Sequence, residues 1–212
     1  MKPPIPIYLA VEDDLSEWVL RRLLSERPAG YAVGAVLQRR GAGYLRKNCG
    51  AFNNMARACP VLMLTDLDQH DCPPSLIQQW LPHPKHRHFL LRVAVREVEA
   101  WLLADQVALA GFLALRGGGR SSDPESLADP KACLLRMAAS CPQRNRREAL
   151  VRRDTGGQLR QGPAYNSTLA AFVNHAWRPE VAALACTSLR RAGAALAWLE
   201  SDWGRRSCQS AP

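Results

Sequence analysis

The chain has 212 residues, 47% of them hydrophobic, which suits one soluble domain, or one domain plus a small appendage, with a sizeable core. No apolar run approaches the roughly 18 residues needed to span a membrane, and the opening MKPPIPIYLAVEDD turns acidic too soon for a signal peptide. A cytoplasmic protein is therefore expected. The net charge of +9 suits a polyanionic partner such as nucleic acid, although 24 of the 28 basic residues are Arg, a bias that GC-rich codons alone can produce.

In chain order, residues 5–11 (IPIYLAV) read as a strand. Residues 15–27 have helical spacing at Leu15, Val19, Leu20, Leu23 and Leu24. Residues 31–37 are a second strand, residues 44–58 a weaker helix, and residues 60–65 (PVLMLT) a third strand. A short helix over 75–81 follows the start signal Pro73–Pro74, and residues 89–95 form a fourth strand. Short apolar strands alternating with helices indicate an α/β fold, with a mostly parallel sheet of about four strands covered by helices on both faces. From residue 97 the pattern is helical: 97–115, then a loop over 117–130, then helices over 131–139, 146–153, 165–177 and 180–199, and a frayed tail over 204–212. The expected division is an α/β domain over 1–116 and a helical extension over 117–212.

The seven cysteines are odd in number, scattered, and include no C-x-x-C pair, as expected of reduced thiols. The cluster HPKHRH (His83, His86, His88) reads as a basic surface loop in preference to a zinc site, since no paired Cys motif accompanies it. Trp101, Trp177 and Trp198 lie in apolar helical contexts and read as core.

Acidic residues follow three of the four strands, and in parallel α/β sheets the loops at the carboxyl ends hold the site. Glu12, with Asp13 and Asp14, follows the first strand, Asp66 and Asp68 the third, and Glu97 and Glu99 the fourth. Gathered anions repel unless a cation offsets them, and carboxylates with water are what Mg²⁺ prefers. The expectation is a Mg²⁺ site, with Mn²⁺ a possible substitute, held by Asp66, Asp68 and one or both of Glu97 and Glu99, with Glu12 as ligand or general base. The competing reading is structural: EDDLSE is also a good helix start. Glu97 and Glu99 would share a face on a strand but lie about 200° apart on a helix, and an ion pair with Arg92 or Arg96 is a further possibility.

The stretch YLAVEDDLSEWVLRRLL followed by VLMLTDLDQHD resembles the TOPRIM pattern, a Glu after the first strand and Asp-x-Asp after a later one. That pattern is shared by primases, topoisomerases and overcoming-lysogenization-defect nucleases. Here Asp13 stands where many TOPRIM domains have Gly. REVEAWLLAD and YNSTLAAFVNHAW resemble an uncharacterised bacterial TOPRIM-like family whose members often accompany an ATPase and are linked to phage defence. The resemblance implies a general acid/base role for Glu12, a metal role for Asp66 and Asp68, and a characteristic position without assigned role for Glu99.

A second feature is the dense basic cluster of Arg144, Arg146, Arg147, Arg152, Arg153 and Arg160, whose members can grip phosphates bidentately. Gly156 and Gly157 give the adjoining loop freedom to close on a ligand. Tyr165 and Asn166 stand at a helix start, with Asn166 a candidate cap. Together these features point to Mg²⁺-dependent phosphodiester chemistry on nucleic acid, most simply a nuclease. The rival is a non-catalytic sensor or regulatory subunit of a neighbouring ATPase.

Overall fold

The computed structural model describes residues 3–37, 41–116 and 123–209. The chain forms β1 (Ile5–Ala10), α1 (Asp14–Ser25), β2 (Tyr31–Leu37), α2 (Gly41–Met55), β3 (Val61–Asp66), α3 (Pro73–Trp80) and β4 (Phe89–Ala94). It continues as α4 (Val98–Ala104), α5 (Gln106–Phe112), α6 (Pro130–Ala139), α7 (Arg144–Leu150), β5 (Val151–Arg153), β6 (Leu159–Gln161), α8 (Tyr165–His175), α9 (Pro179–Ala185) and α10 (Thr187–Gln209). It divides into two compact units, one of residues 1–93 with 190–212 and one of residues 94–189. The sequence places a boundary near 116, whereas α4 and α5 fall in the second unit and most of α10 in the first. No described helix is long and apolar enough to cross a membrane.

The first unit is the expected α/β fold, a four-stranded parallel sheet in the order β2-β1-β3-β4 flanked by helices. β3 is central, and its run Val61–Leu64 is wholly buried, which is why it reads as unbroken apolar sequence. α1 buries the five positions set out by helical spacing, Leu15, Val19, Leu20, Leu23 and Leu24. Asp13 stands outside the helix in extended geometry and accepts from Ser16 N at 2.8 Å, so this position is a side-chain cap and does not require glycine. The C-terminal stretch is tied down within the unit. Arg27 donates to both Glu200 oxygens at 2.8 and 2.7 Å, and α10 runs through Gln209 where a frayed tail was expected, with residues 210–212 outside the described ones. The same stretch corrects the reading of HPKHRH as wholly superficial. His88 is buried, with Nε2 2.9 Å from Asp202 Oδ2. Trp198 is 41% exposed and is not a core residue, because the buried side of α10 here is carried by Leu196 and Leu199.

Among its described residues, the second unit is built of helices and one hairpin. Trp101 and Trp177 are fully buried, as expected; Trp101 Nε1 donates to Ser188 Oγ at 2.7 Å and Trp177 Nε1 to Trp101 O at 3.2 Å. The apolar run from 97 to 115 is two helices, broken at Asp105, whose side chain caps α5. Residues 151–153 are β5, paired antiparallel with β6, where a helix over 146–153 was expected. The physical reason is the turn: Asp154 Oδ1 accepts from Gly156 N and Gln158 N, and Gly157 takes φ +77°. α8 is capped at Ala164 with no side-chain bond, so Asn166 is not its cap.

Two glycines make opposite demands. A Cβ on Gly162 would overlap the Ala149 carbonyl and lie 2.8 Å from Glu148 O, all backbone, so β6 can approach the end of α7 only without a side chain there. Exposed Gly50 inside α2 has open space around it. Gly162→Ala is expected to cost about 3 kcal/mol through forced backbone shifts, and Gly50→Ala to stabilise by roughly 0.5–1 kcal/mol through helix propensity. Chemical denaturation midpoints measure both, and a Gly162→Ala midpoint equal to wild type would contradict the close approach.

Candidate functional site

The register of the parallel sheet assembles the first site. Ala10 pairs with Met63 across β1 and β3, so two residues further on Glu12 comes level with Thr65 and Asp66. There Glu12 Oε1 accepts from Thr65 Oγ1 and, at 3.0 Å, from Asp66 N. The carboxylate is thus aimed across the strand ends and is not a helix cap, the role that Asp13 fills. Burial pushes the Glu12 carboxyl above its ordinary range, the bonds from Thr65 and Asp66 N oppose this, and the charges of Asp68 and Asp13 add to it. Asp68 is exposed, at a left-handed backbone position with φ 49°. Sequence reasoning passed over Thr65, although the hydroxyl directly before Asp66 in TDLD was the available signal.

By donor type alone Glu12, Asp66 and Asp68 would suit a hydrated divalent ion, since Mg²⁺ usually takes one or two carboxylates and retains water, and the contact that joins Glu12 to Asp66 is made by the Asp66 backbone N–H. Among the described residues, no group of three or more His, Cys, Asp or Glu is arranged to hold a metal ion.

The raised Glu12 proton affinity has a measurable consequence. The folded state favours protonated Glu12, so its contribution to stability is complete below the ordinary carboxylate range and is lost as pH rises through the raised value. Glu12→Gln keeps an acceptor oxygen for Thr65 and Asp66 N and removes the charge. It is expected to raise the melting temperature of metal-free protein at neutral pH by about 2–4 °C, and to flatten the decline as pH rises above the ordinary carboxylate range. A lower melting temperature than wild type throughout would mean that the charged form is the favoured one.

Glu97 and Glu99 belong to the second unit. Glu97 is the extended residue before α4, and Glu99 lies in its first turn. Both approach one cation: Lys131 Nζ is 3.4 Å from Glu97 Oε1 and 3.5 Å from Glu99 Oε1. Lys131, not Arg92 or Arg96, is their partner. Glu97 Oε2 also accepts from Lys131 N at 3.0 Å, and Tyr165 Oη donates to Glu99 Oε1 at 3.1 Å. Glu99 is 2% exposed, and burial raises its carboxyl while Lys131 opposes the rise. This tyrosine is the one at the start of YNSTLAAF; its distance in sequence from Glu99 concealed the contact.

The basic cluster separates by partner. Arg144 pairs with Glu148 at 2.7 Å on an exposed helix face. Arg146 stacks 4.3 Å from the centre of the Phe112 ring and donates to Phe112 O, and Arg147 donates to Cys141 O at 2.7 Å. Arg153 donates to Gly157 O at 2.8 Å, closing the hairpin turn. Arg152 and Arg160 line a cleft of about 710 Å³ with Glu97, Asp129 and Lys131.

Comparison with protein-family models, curated proteins and solved structures finds no match to this chain.

Proposed function

We propose that the first unit performs Mg²⁺- or Mn²⁺-dependent phosphodiester chemistry on nucleic acid, most simply cleavage, alongside an ATPase partner and in phage defence. The observation that carries this reading is the placing of Glu12 beside Asp66 at the carboxyl ends of adjacent parallel strands, with Asp68 close enough to raise the Glu12 proton affinity. The TOPRIM-like spacing of the same three residues supports it. Asp66 and Asp68 would hold the ion, which when bound would activate water and offset charge on the phosphoryl group. Glu12, with its carboxyl raised above its ordinary range by burial and oriented by Thr65, is suited to accept a proton and return it. The net charge of +9 favours a phosphate-rich partner held with little sequence preference.

One observation favours the second reading, a non-catalytic sensor or regulatory subunit. Glu12 Oε1 is already bonded to Thr65 and Asp66 N, and the described residues contain no three-acid group arranged for metal. The deciding experiment is a cleavage assay on single- and double-stranded DNA and RNA with Mg²⁺, Mn²⁺ or chelator. Metal-dependent cleavage supports the enzyme; no cleavage with any metal, and no metal-induced rise in melting temperature, supports the subunit.

A further inference from the structure

The cleft of the second unit has two chemically different walls. One is the β5–β6 hairpin, with Arg152, Gln158 and Arg160; the other carries Glu97, Asp129 and Lys131. Arg152 and Arg160 are direct cross-strand partners. Like charges set opposite each other across antiparallel strands destabilise the pair; Asp154 offsets Arg160 from within the hairpin, and an anion in the cleft would offset the rest. Each guanidinium is oriented through Nε, Arg152 on Gln161 O at 3.1 Å and Arg160 on Asp154 Oδ2 at 2.9 Å. An arginine held at Nε still has its four terminal N–H groups to offer an oxyanion.

The other wall carries carboxylates that accept hydrogen bonds, Glu97 from Lys131 and Asp129 from Ala132. Lys131 lies against both Glu97 and Glu99, and Tyr165 donates to Glu99 from behind, so the lysine charge is met within the wall. The Glu97 side chain keeps 21% exposure, and Asp129 reaches Ala132 N at 2.6 Å as the cap of α6. A bare phosphate would use the arginine wall and gain nothing from the carboxylates; a neutral nucleoside would use only the carboxylate wall. A ligand with a phosphoryl group at one end and hydroxyl or amino donors at the other uses both, and the cleft volume lies in the range of small-ligand pockets.

We propose that this cleft binds a nucleotide, with its phosphate on the Arg152–Arg160 pair and its sugar or base donors on Glu97. This deepens the nucleic-acid part of the functional reading and requires no metal at Glu12. Two sources share this chemistry, a free mononucleotide and the phosphorylated end of a nucleic-acid strand.

The test is calorimetric titration of the full chain in the presence of chelator. The probes are the four ribonucleoside 5′-monophosphates, the matching nucleosides, inorganic phosphate and a short 5′-phosphorylated single-stranded DNA. At least one nucleotide, or the phosphorylated strand, is expected to bind about tenfold or more tighter than both its nucleoside and inorganic phosphate, one step of 1.4 kcal/mol. Tighter binding of the mononucleotide identifies a free ligand, and of the strand a chain end. Arg152→Gln and Arg160→Gln should each weaken that binding about tenfold, while Arg144→Gln should not. Binding no tighter than inorganic phosphate, or unchanged binding in both cleft variants, overturns the proposal. The wild-type comparison needs no variant to fold, and because metal is excluded, failure here is distinct from failure of the cleavage reading.

Discussion

Asp66→Ala and Asp68→Ala are each expected, on the proposed reading, to lower metal-dependent cleavage by about a thousandfold, the scale of losing a principal electrostatic contribution to the transition state. Neither change should unfold the metal-free protein. Asp68→Ala removes a charge that acts on Glu12 together with Asp13, so its apo stability should hold or rise, and Asp66→Ala keeps the backbone N–H that meets Glu12. Metal acts in the opposite direction. An ion that binds only the folded state stabilises it by about 2.7 kcal/mol at a hundred times its dissociation constant. Wild type should therefore gain melting temperature on adding Mg²⁺ or Mn²⁺, and the two alanine variants should not. Glu12→Gln separates base from ligand: as a base, its loss removes cleavage by about two to four orders of magnitude while metal stabilisation persists; as a ligand, both fall together. Wild-type cleavage that survives both aspartate substitutions would remove the strand ends from the chemistry.

Asp105→Ala is expected to be the most destabilising single polar substitution in the second unit, at about 3 kcal/mol. Asp105 is 1% exposed and accepts from Arg178 N at 3.0 Å, Nε at 2.9 Å and Nη2 at 2.6 Å, and from Ala108 N at 3.3 Å as the cap of α5. Alanine leaves two backbone N–H groups without that acceptor, while the Arg178 guanidinium, 44% exposed, can turn to water, which keeps the loss below that of a wholly buried pair. Burial alone would raise the Asp105 carboxyl, but the bonds from Arg178 and Ala108 outweigh it and hold the group below its ordinary range. Its contribution is therefore present above the ordinary carboxylate range and is lost as pH falls through the lowered value. Asp105→Asn should retain the cap, lose the charge and show a weaker acid dependence. Urea denaturation at neutral and acid pH measures all three proteins; an Asp105→Ala cost under about 1 kcal/mol would show the pair to be incidental.

The sequence by itself determined the α/β unit. Burial on both faces of a parallel sheet demands continuous apolar runs, and 60–65 and 89–95 could be little else; α1 repeats its buried positions at the helical period because one side of it meets the sheet. The adjacency of Glu12 and Asp66 was also within reach, since both end apolar strands and parallel strands align their ends. Tertiary structure alone decided the remainder. Lys131 and Tyr165 stand 34 and 66 residues from the acids they meet, and no periodicity encodes such a meeting. The hairpin over 151–161 was hidden because two three-residue strands are shorter than any pattern that separates strand from helix, although the Asp154–Gly157 turn marked it. Six arginines close in sequence were divided among a stacked ring, backbone carbonyls, an exposed ion pair and a cleft, because side-chain direction follows the element each residue joins. His88 was withdrawn from a basic loop by Asp202, 114 residues away, because a buried imidazole needs a partner that only the returning helix supplies.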